Sequence, residues 1–286
     1  MKKLALLLDS SFGIKENQYP DVYIVPMEII ETDNGKVTSY LDQVDIFNEQ
    51  ICEKISKGCD IKTSQPILGN VIKTLDKLTK EYENVYALTI PSTISGTFQN
   101  WKVLENDYKN LKVYDQTMVG CLSEWTIIDF LNASKENKLD DAFIKNYLKQ
   151  LEDKRAGLLI VPDVSQLKKG GRVSNFKSLL IKLLGLKLII SLSKEGLIFR
   201  DKAKDPQEAI NRGNKALNKL IPLEQSKIRR FVVFTNSKAD RKFDITQYIK
   251  IIETMYPKVK IEHTELPSVI TAHVGPNYFV FGMDLE

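Results

Sequence analysis

The residues best suited to chemistry in this chain lie in Thr89-Ile-Pro-Ser-Thr-Ile-Ser-Gly-Thr97, a hydroxyl-rich turn between a strand pattern and a helix pattern. The run before it, Asn84 to Ile90, is short, apolar and β-branched, which predicts a strand; Phe98 to Tyr108 has amphipathic helical spacing. A helix N-terminus leaves backbone N–H groups without intrahelical partners and carries a partial positive charge, and serine or threonine hydroxyls add donors. Ser95-Gly96-Thr97 is therefore a candidate anion seat, since a glycine beside the donors lets a ligand approach the backbone with no Cβ in the way. The segment lacks the spacing and the lysine of a P-loop. A second hydroxyl, that of Thr63 in Thr63-Ser64-Gln65-Pro66, precedes a helix expected to open near Pro66 and run through Val71–Leu78. By itself this is also an ordinary N-cap followed by a helix-compatible proline. Two such ends meeting would make a pocket for an oxyanion.

Histidine is scarce, which limits acid–base and metal schemes to His263 and His273. His263 falls inside a strand pattern and is expected to be structural. His273 sits in Thr271-Ala-His-Val-Gly-Pro276, read as a tight loop before the strand-like Tyr278–Met283, where a histidine is well placed to meet a ligand. From Val164 to Lys187 there are six basic residues and no acid. Within that stretch, Lys168-Lys169-Gly170-Gly171-Arg172 suits a phosphate clamp, a partner contact or a solvated loop. The amphipathic Asn175–Leu184 that follows carries Lys177 and Lys182 beside an apolar face; it reads as a core-packed helix or as a surface-seeking element.

Apolar strand-like runs recur with helical stretches between them: Leu4–Leu8, Val22–Val25, Val85–Ile90, Val113–Tyr114, Leu158–Val161, Phe231–Phe234 and Val259–Glu262. This alternation favours an α/β fold with a largely parallel sheet, whose ligands sit beyond the C-terminal strand ends. Asp9-Ser10-Ser11, Pro91-Ser92-Thr93, Asp115-Gln116-Thr117 and Pro162-Asp163 all fall at such ends. Past residue 155 the texture changes, with Leu186–Leu192, the turn Ser193–Gly196 and Leu197–Ala203 reading as a hairpin. Two lobes are expected, an α/β lobe over 1–154 with a mainly parallel sheet and a mixed α+β lobe over 155–286.

The 286 residues, 43% of them hydrophobic, are enough for a real core. No apolar run reaches the ~18 residues of a spanning helix, and the start reads as a first strand ending in Asp9, so the expected location is cytoplasmic. Three cysteines without a CxxC pair imply neither a disulfide framework nor a zinc site. A net charge of +4 with widely spread Lys and Arg gives no argument for nucleic acid.

Asp9-Ser10, Val25-Pro26, Thr63-Ser-Gln-Pro66, Ser95-Gly-Thr97, Lys168-Lys-Gly-Gly-Arg172 and His273-Val-Gly-Pro276, in this order and over nearly the whole chain, resemble the motif set of the DegV family, which includes the FakB fatty-acid-binding proteins. The resemblance implies a two-lobed α/β protein that encloses one long-chain fatty acid, such as palmitate, between its lobes and needs no cofactor. In FakB members it also implies presentation of the acyl carboxylate to a fatty acid kinase. Carried over by position, Thr63, Ser95 and His273 would bond the carboxylate, with Gly96 and Thr97 completing the turn. Arg172 matches an arginine associated with the kinase, so Lys168, Lys169, Arg172, Lys177 and Lys182 become a partner surface or a transient, peripheral membrane contact. Departures from the pattern are Asn277 and Tyr278 after the terminal His-Val-Gly-Pro, and Asp115-Gln116 in place of Asp-Ser.

The physics of such a guest is consistent. About fifteen buried methylenes at ~0.8 kcal/mol each supply on the order of 12 kcal/mol before association costs. An unpaired buried carboxylate would waste several kcal/mol, which hydroxyls, amide N–H groups and an imidazole offset. Two other classes share the same residues: a Ser95/His273 acyl hydrolase, which lacks a GxSxG elbow, and a phosphate or nucleotide binder using Lys168, Lys169 and Arg172.

Overall fold

Strands covered on both faces need continuous apolar runs, and strands covered on one face alternate; both textures occur in this chain, in different places. The structure, a computed structural model, describes residues 2–172, 185–237, 239 and 243–286. They form two units, Met1–Lys145 with Pro267–Ala272, and Asn146–Leu266 with His273–Glu286. The first holds β1 (Lys2–Asp9), β2 (Val22–Val25), β3 (Glu28–Asp33), β4 (Lys36–Leu41), α1 (Asn48–Ser56), β5 (Asp60–Ser64), α2 (Leu68–Glu81), β6 (Tyr82–Leu88), α3 (Thr97–Val103), β7 (Leu111–Tyr114) and α4 (Cys121–Lys135). After α5 (Asp141–Leu151), which crosses the division, the second holds β8 (Arg155–Val161), α6 (Ser165–Lys169), β9 (Lys187–Ser193), β10 (Gly196–Ala203), α7 (Pro206–Leu217), β11 (Ile228–Thr235), α8 (Ile245–Met255) and β12 (Ile261–Thr264). Then α9 (Ser268–Val274) crosses the division again and leads into β13 (Phe279–Leu285).

In the first unit a parallel sheet runs β2-β1-β6-β7. Its central strands carry the unbroken apolar runs: Ala5–Leu8 and Val85–Leu88 are buried, and α2 packs Val71, Leu75 and Leu78 against Ala5, Leu7, Val85 and Ala87. All four strands were expected. A second sheet of this unit, the antiparallel β4-β3-β5, was not. Its hairpin turns at Asn34-Gly35, with φ of 48° and 81°, which is the two-residue turn that matches strand twist. Asp-Asn-Gly-Lys between two runs with alternating apolar residues was the signal that could have revealed it.

This sheet also corrects the reading of Thr63. The residue is not at a helix N-terminus: it pairs with Ile29 within β5, and α2 starts only at Leu68, with no side-chain cap. A residue before proline avoids helical angles, so the chain stays extended past Gln65 and the helix opens beyond Pro66.

The second unit is one six-stranded sheet in the order β10-β9-β8-β13-β11-β12, antiparallel throughout except for β11 with β12. Its core gathers Leu158, Ile160, Ile210, Leu217, Phe231, Phe279 and Phe281. The β9–β10 hairpin falls where expected, closed by the pair Ser193 and Gly196. β12 lies about two residues beyond its expected place, and His263 is exposed on that edge strand. The α/β class thus holds, with a parallel sheet in the first unit and a mixed one in the second. Among the described residues, no helix is long and apolar enough to cross a membrane.

Candidate functional site

Parallel strands direct their C-terminal ends to one edge of the sheet, so the polar residues after β1, β6 and β7 meet there. Asp9, fully buried, accepts from the Ser11 N–H (2.9 Å) and from the Ile90 N–H (2.6 Å), tying the end of β1 to the start of the hydroxyl-rich turn. Asp115, after β7, accepts from the N–H of Ser92 (2.9 Å) and from its hydroxyl. Gln116 adds a third tie, its amide donating to the carbonyls of Thr89 (3.1 Å) and Met118 (2.6 Å). Within the turn, the Pro91 carbonyl accepts from Ile94 (3.0 Å) and Ser95 (3.2 Å). Ser92 is thereby consumed in holding the turn, whereas Ser95 faces Thr97, Oγ to Oγ1 2.9 Å, at the start of α3. Gly96 has φ −81°, and no atom of the described residues lies within 4 Å of where a Cβ would stand. Neither backbone strain nor an atom of the described residues requires glycine there.

The segment that carries Thr63 is tied to α3 by a different route from the one expected. Gln65, just past the end of β5, accepts from the Asn100 side-chain amide (2.8 Å) on α3. The Thr63 segment and the helix that Ser95–Thr97 opens are therefore tied side to side within the first unit. The tie depends on two amides with no local pattern to announce them.

A buried polar group that sequence reasoning missed lies beneath this edge. Asp42 is 1% exposed, with Ser10, Gln43 and Ser268 around it and the Asp9 carboxylate as a like charge. Burial raises Asp9 to about 6 and Asp42 to about 7, from 3.8. Both carboxyls oppose folding as pH rises from 3.8 through those values, because the unfolded chain ionises first, and the cost is complete above about 7.

In the second unit His273 occupies the last turn of α9, not a loop; Gly275, at φ 86°, follows the end of that helix. Sequence reasoning took the Gly-Pro pair as a loop signal, whereas it marks a helix end. Burial, and secondarily the Arg172 charge, lower the imidazole from 6.5 to about 4, so it is neutral at pH 7. The sign of the linkage is opposite to that of the two carboxyls. As pH falls from 6.5 toward 4 the unfolded chain takes up a proton that the folded chain refuses, and stability drops. An imidazole NMR titration should give a midpoint near 4 for His273, and stability should decline less steeply below pH 6.5 in His273→Gln than in the wild type. A midpoint at or above 6.5 would contradict this environment.

Lys168 and Lys169 are exposed in the last turn of α6, and Arg172 is half-buried, its guanidinium donating to the Gly170 carbonyl. Gly171, at φ 76°, closes α6 with a paired cap: its N–H bonds the Lys168 carbonyl (3.0 Å) and the Arg172 N–H bonds that of Leu167 (3.1 Å). The segment is thus largely a capped helix end, not the solvated loop that was one of its three readings. Lys177, Lys182 and the expected helix around them lie outside the described residues. Tyr278, one of the departures noted above, is a buried strut: its hydroxyl accepts from the Leu266 N–H (3.0 Å) and donates to the Thr235 carbonyl (3.2 Å).

Hydroxyl donors stand at the ends of parallel strands in one unit, and a half-buried histidine that is neutral at pH 7 stands in the other, within an α/β protein. Residues 3–283 match the family model described as "Uncharacterised protein, DegV family", and the chain belongs to the DegV family. A DegV domain-containing protein of Mycoplasma genitalium is 27% identical, covering 99% of this chain and 100% of that one. Among solved structures, a fatty acid binding DegV family protein from Streptococcus agalactiae superposes with TM-score 0.84 at 25% identity, covering 100% of both chains. The Streptococcus pneumoniae Fatty Acid Kinase (Fak) B3 protein loaded with linoleic acid does so with TM-score 0.78 at 16% identity, covering 99% of this chain and 100% of that one.

Proposed function

We propose that this protein is a carrier without chemistry of its own. It binds one long-chain fatty acid, with the carboxylate received by Thr63, Ser95 and His273 and with Gly96 and Thr97 completing the seat. The observation that carries the reading is the Ser95–Thr97 hydroxyl pair at the start of α3 beside a glycine that no contact with the described residues requires. Uncharged donors suit a carboxylate that must later be released or modified, since an ion pair with Lys or Arg would hold it more tightly. The fatty-acid-binding relative from Streptococcus agalactiae, alike over its full length, supports the ligand class. Support for a fatty acid kinase as partner comes from the Fak B3 likeness, with the exposed Lys168 and Lys169 and the Arg172 turn as the contacting surface.

A hydrolase reading gains nothing from the geometry. Ser95 shares its hydroxyl with Thr97, and a histidine held near 4 is a weak base at pH 7. Native mass spectrometry of gently purified protein is expected to show a single co-purified acid of fourteen to eighteen carbons. Protein that is consistently empty, and that takes up no palmitate when offered it, would overturn the reading.

A further inference from the structure

The two glycines of Lys168-Lys-Gly-Gly-Arg172 answer different needs. Gly171 takes a left-handed φ of 76°, and no atom of the described residues lies within 4 Å of its Cβ position. Gly170 has an ordinary φ of −71°, so its backbone does not call for glycine. Its neighbour does: a Cβ there would overlap Nδ1 of His273 and stand 2.9 Å from Cε1 of the same ring. Such a contact is far inside van der Waals distance, so the ring or the turn would have to shift to admit it.

The contact is one half of a reciprocal arrangement. Two residues beyond His273, Gly275 places its own Cβ position 3.3 Å from Cγ of Gln166, one turn before Gly170 on α6. Each segment thus offers a glycine where the other presents a side chain, and both lie in the second unit. The atoms of the ring nearest the turn are Nδ1 and Cε1.

We propose that Gly170 is a positioning residue for His273: its missing side chain is the seat of the imidazole, and the seat fixes where the ring stands. The inference deepens the fatty-acid reading, on which its affinity test rests. It also gives the basic turn a consequence beyond contact with a partner. A displacement of Gly170 displaces the ring, so whatever engages Lys168, Lys169 or Arg172 acts directly on the head-group donor.

The test is a double-mutant cycle between Gly170→Ala and His273→Ala, read by palmitate affinity of the delipidated protein and by the imidazole resonances. With two histidines in the chain, the His273 signals are assigned by difference. Gly170→Ala is expected to move the His273 resonances, to leave those of His263 in place, and to weaken palmitate binding about ten- to hundredfold, as His273→Ala does. In the His273→Ala background the same glycine substitution should change affinity less than twofold, since its only route of action is gone. If Gly170→Ala alone does not fold, the pair should fold, because removing the ring vacates the space. Unmoved His273 resonances, an undiminished effect of Gly170→Ala in the absence of the ring, or failure of both the single and the double variant to fold would each overturn the proposal. A wild type that binds no palmitate overturns the fatty-acid reading instead, and the resonance and folding readouts still decide the role of Gly170.

Discussion

A Thr63→Val, Ser95→Ala double variant is expected to lose palmitate affinity by about a hundredfold or more while keeping its fold. Hydrogen bonds to a charged acceptor are worth about 1.5–3 kcal/mol each, so a single hydroxyl accounts for roughly ten- to hundredfold. The two losses should fall short of additive, because donors that share one carboxylate compensate for each other. Little stability is at stake: Thr63 and Ser95 are each only half-buried, and Val suits a strand position such as 63. The matched control is methyl palmitate, which has the same tail and no charge. If the variant loses affinity for the acid and the ester alike, the defect lies in the tail's environment; if it loses neither, Thr63 and Ser95 do not receive the carboxylate. The discriminating outcome is selective loss for the acid, measured by competition against a fluorescent fatty acid.

The parts of this molecule that were legible in the sequence are those fixed by local rules. Leu4–Leu8 and Val85–Leu88 are apolar without interruption because both faces of a central parallel strand are covered, and each ends in the polar residues that build the edge of the site. The β9–β10 hairpin announced itself by alternation around Lys194-Glu195-Gly196. Where two rules competed, one of them prevailed without sign in the sequence. Thr63 before Gln65-Pro66 has the composition of a helix cap, yet the pairing of β5 with β3 and the extended preference ahead of proline place it in a strand. Gly275-Pro276 has the composition of a loop, yet it stops a helix that carries His273 in its last turn.

Tertiary partners were not legible at all. Nothing around Gln65 or Asn100 shows that they meet, nothing around Asp42 shows that its carboxyl is enclosed with Ser10 and Ser268, and nothing in Gly170-Gly171 separates a glycine needed for its φ from one needed for a neighbour's ring. The division also shapes the acid response. The carboxyls of Asp9 and Asp42 make the first unit less stable as pH rises toward 7, while His273 makes the second less stable as pH falls from 6.5. The two trends run against each other across the same interval, so a flat stability profile of the whole chain between pH 5 and 7 would not mean that these groups are unperturbed. Individual titrations resolve what the sum conceals.

The largest stability loss is expected from Asp284→Ala, near the far end of β13, the strand that follows α9. Asp284 lies directly opposite Arg155 on β8 and Arg230 on β11, so one carboxylate is shared across three neighbouring strands. Oδ2 accepts from Arg155 Nη2 at 3.1 Å and from Arg230 Nη2 at 2.6 Å and Nε at 3.0 Å. The Arg155 and Asp284 side chains are only 1% and 2% exposed, whereas Arg230 reaches the rim at 14%. Removing the carboxylate therefore strands the Arg155 charge in the sheet, and an uncompensated buried charge costs about 3–5 kcal/mol, a large part of the 5–15 kcal/mol that holds a domain folded. Arg230 can turn to water and contributes little to that cost. It follows that Arg155→Met in the Asp284→Ala background should recover most of the loss, because an apolar chain of similar length needs no counter-charge. Denaturant unfolding of the wild type, Asp284→Ala and the double variant measures both steps. A single substitution that costs less than about 1 kcal/mol, within the range of an exposed pair, would show that water reaches Arg155 and that the shared carboxylate is not what secures β13 between its neighbours.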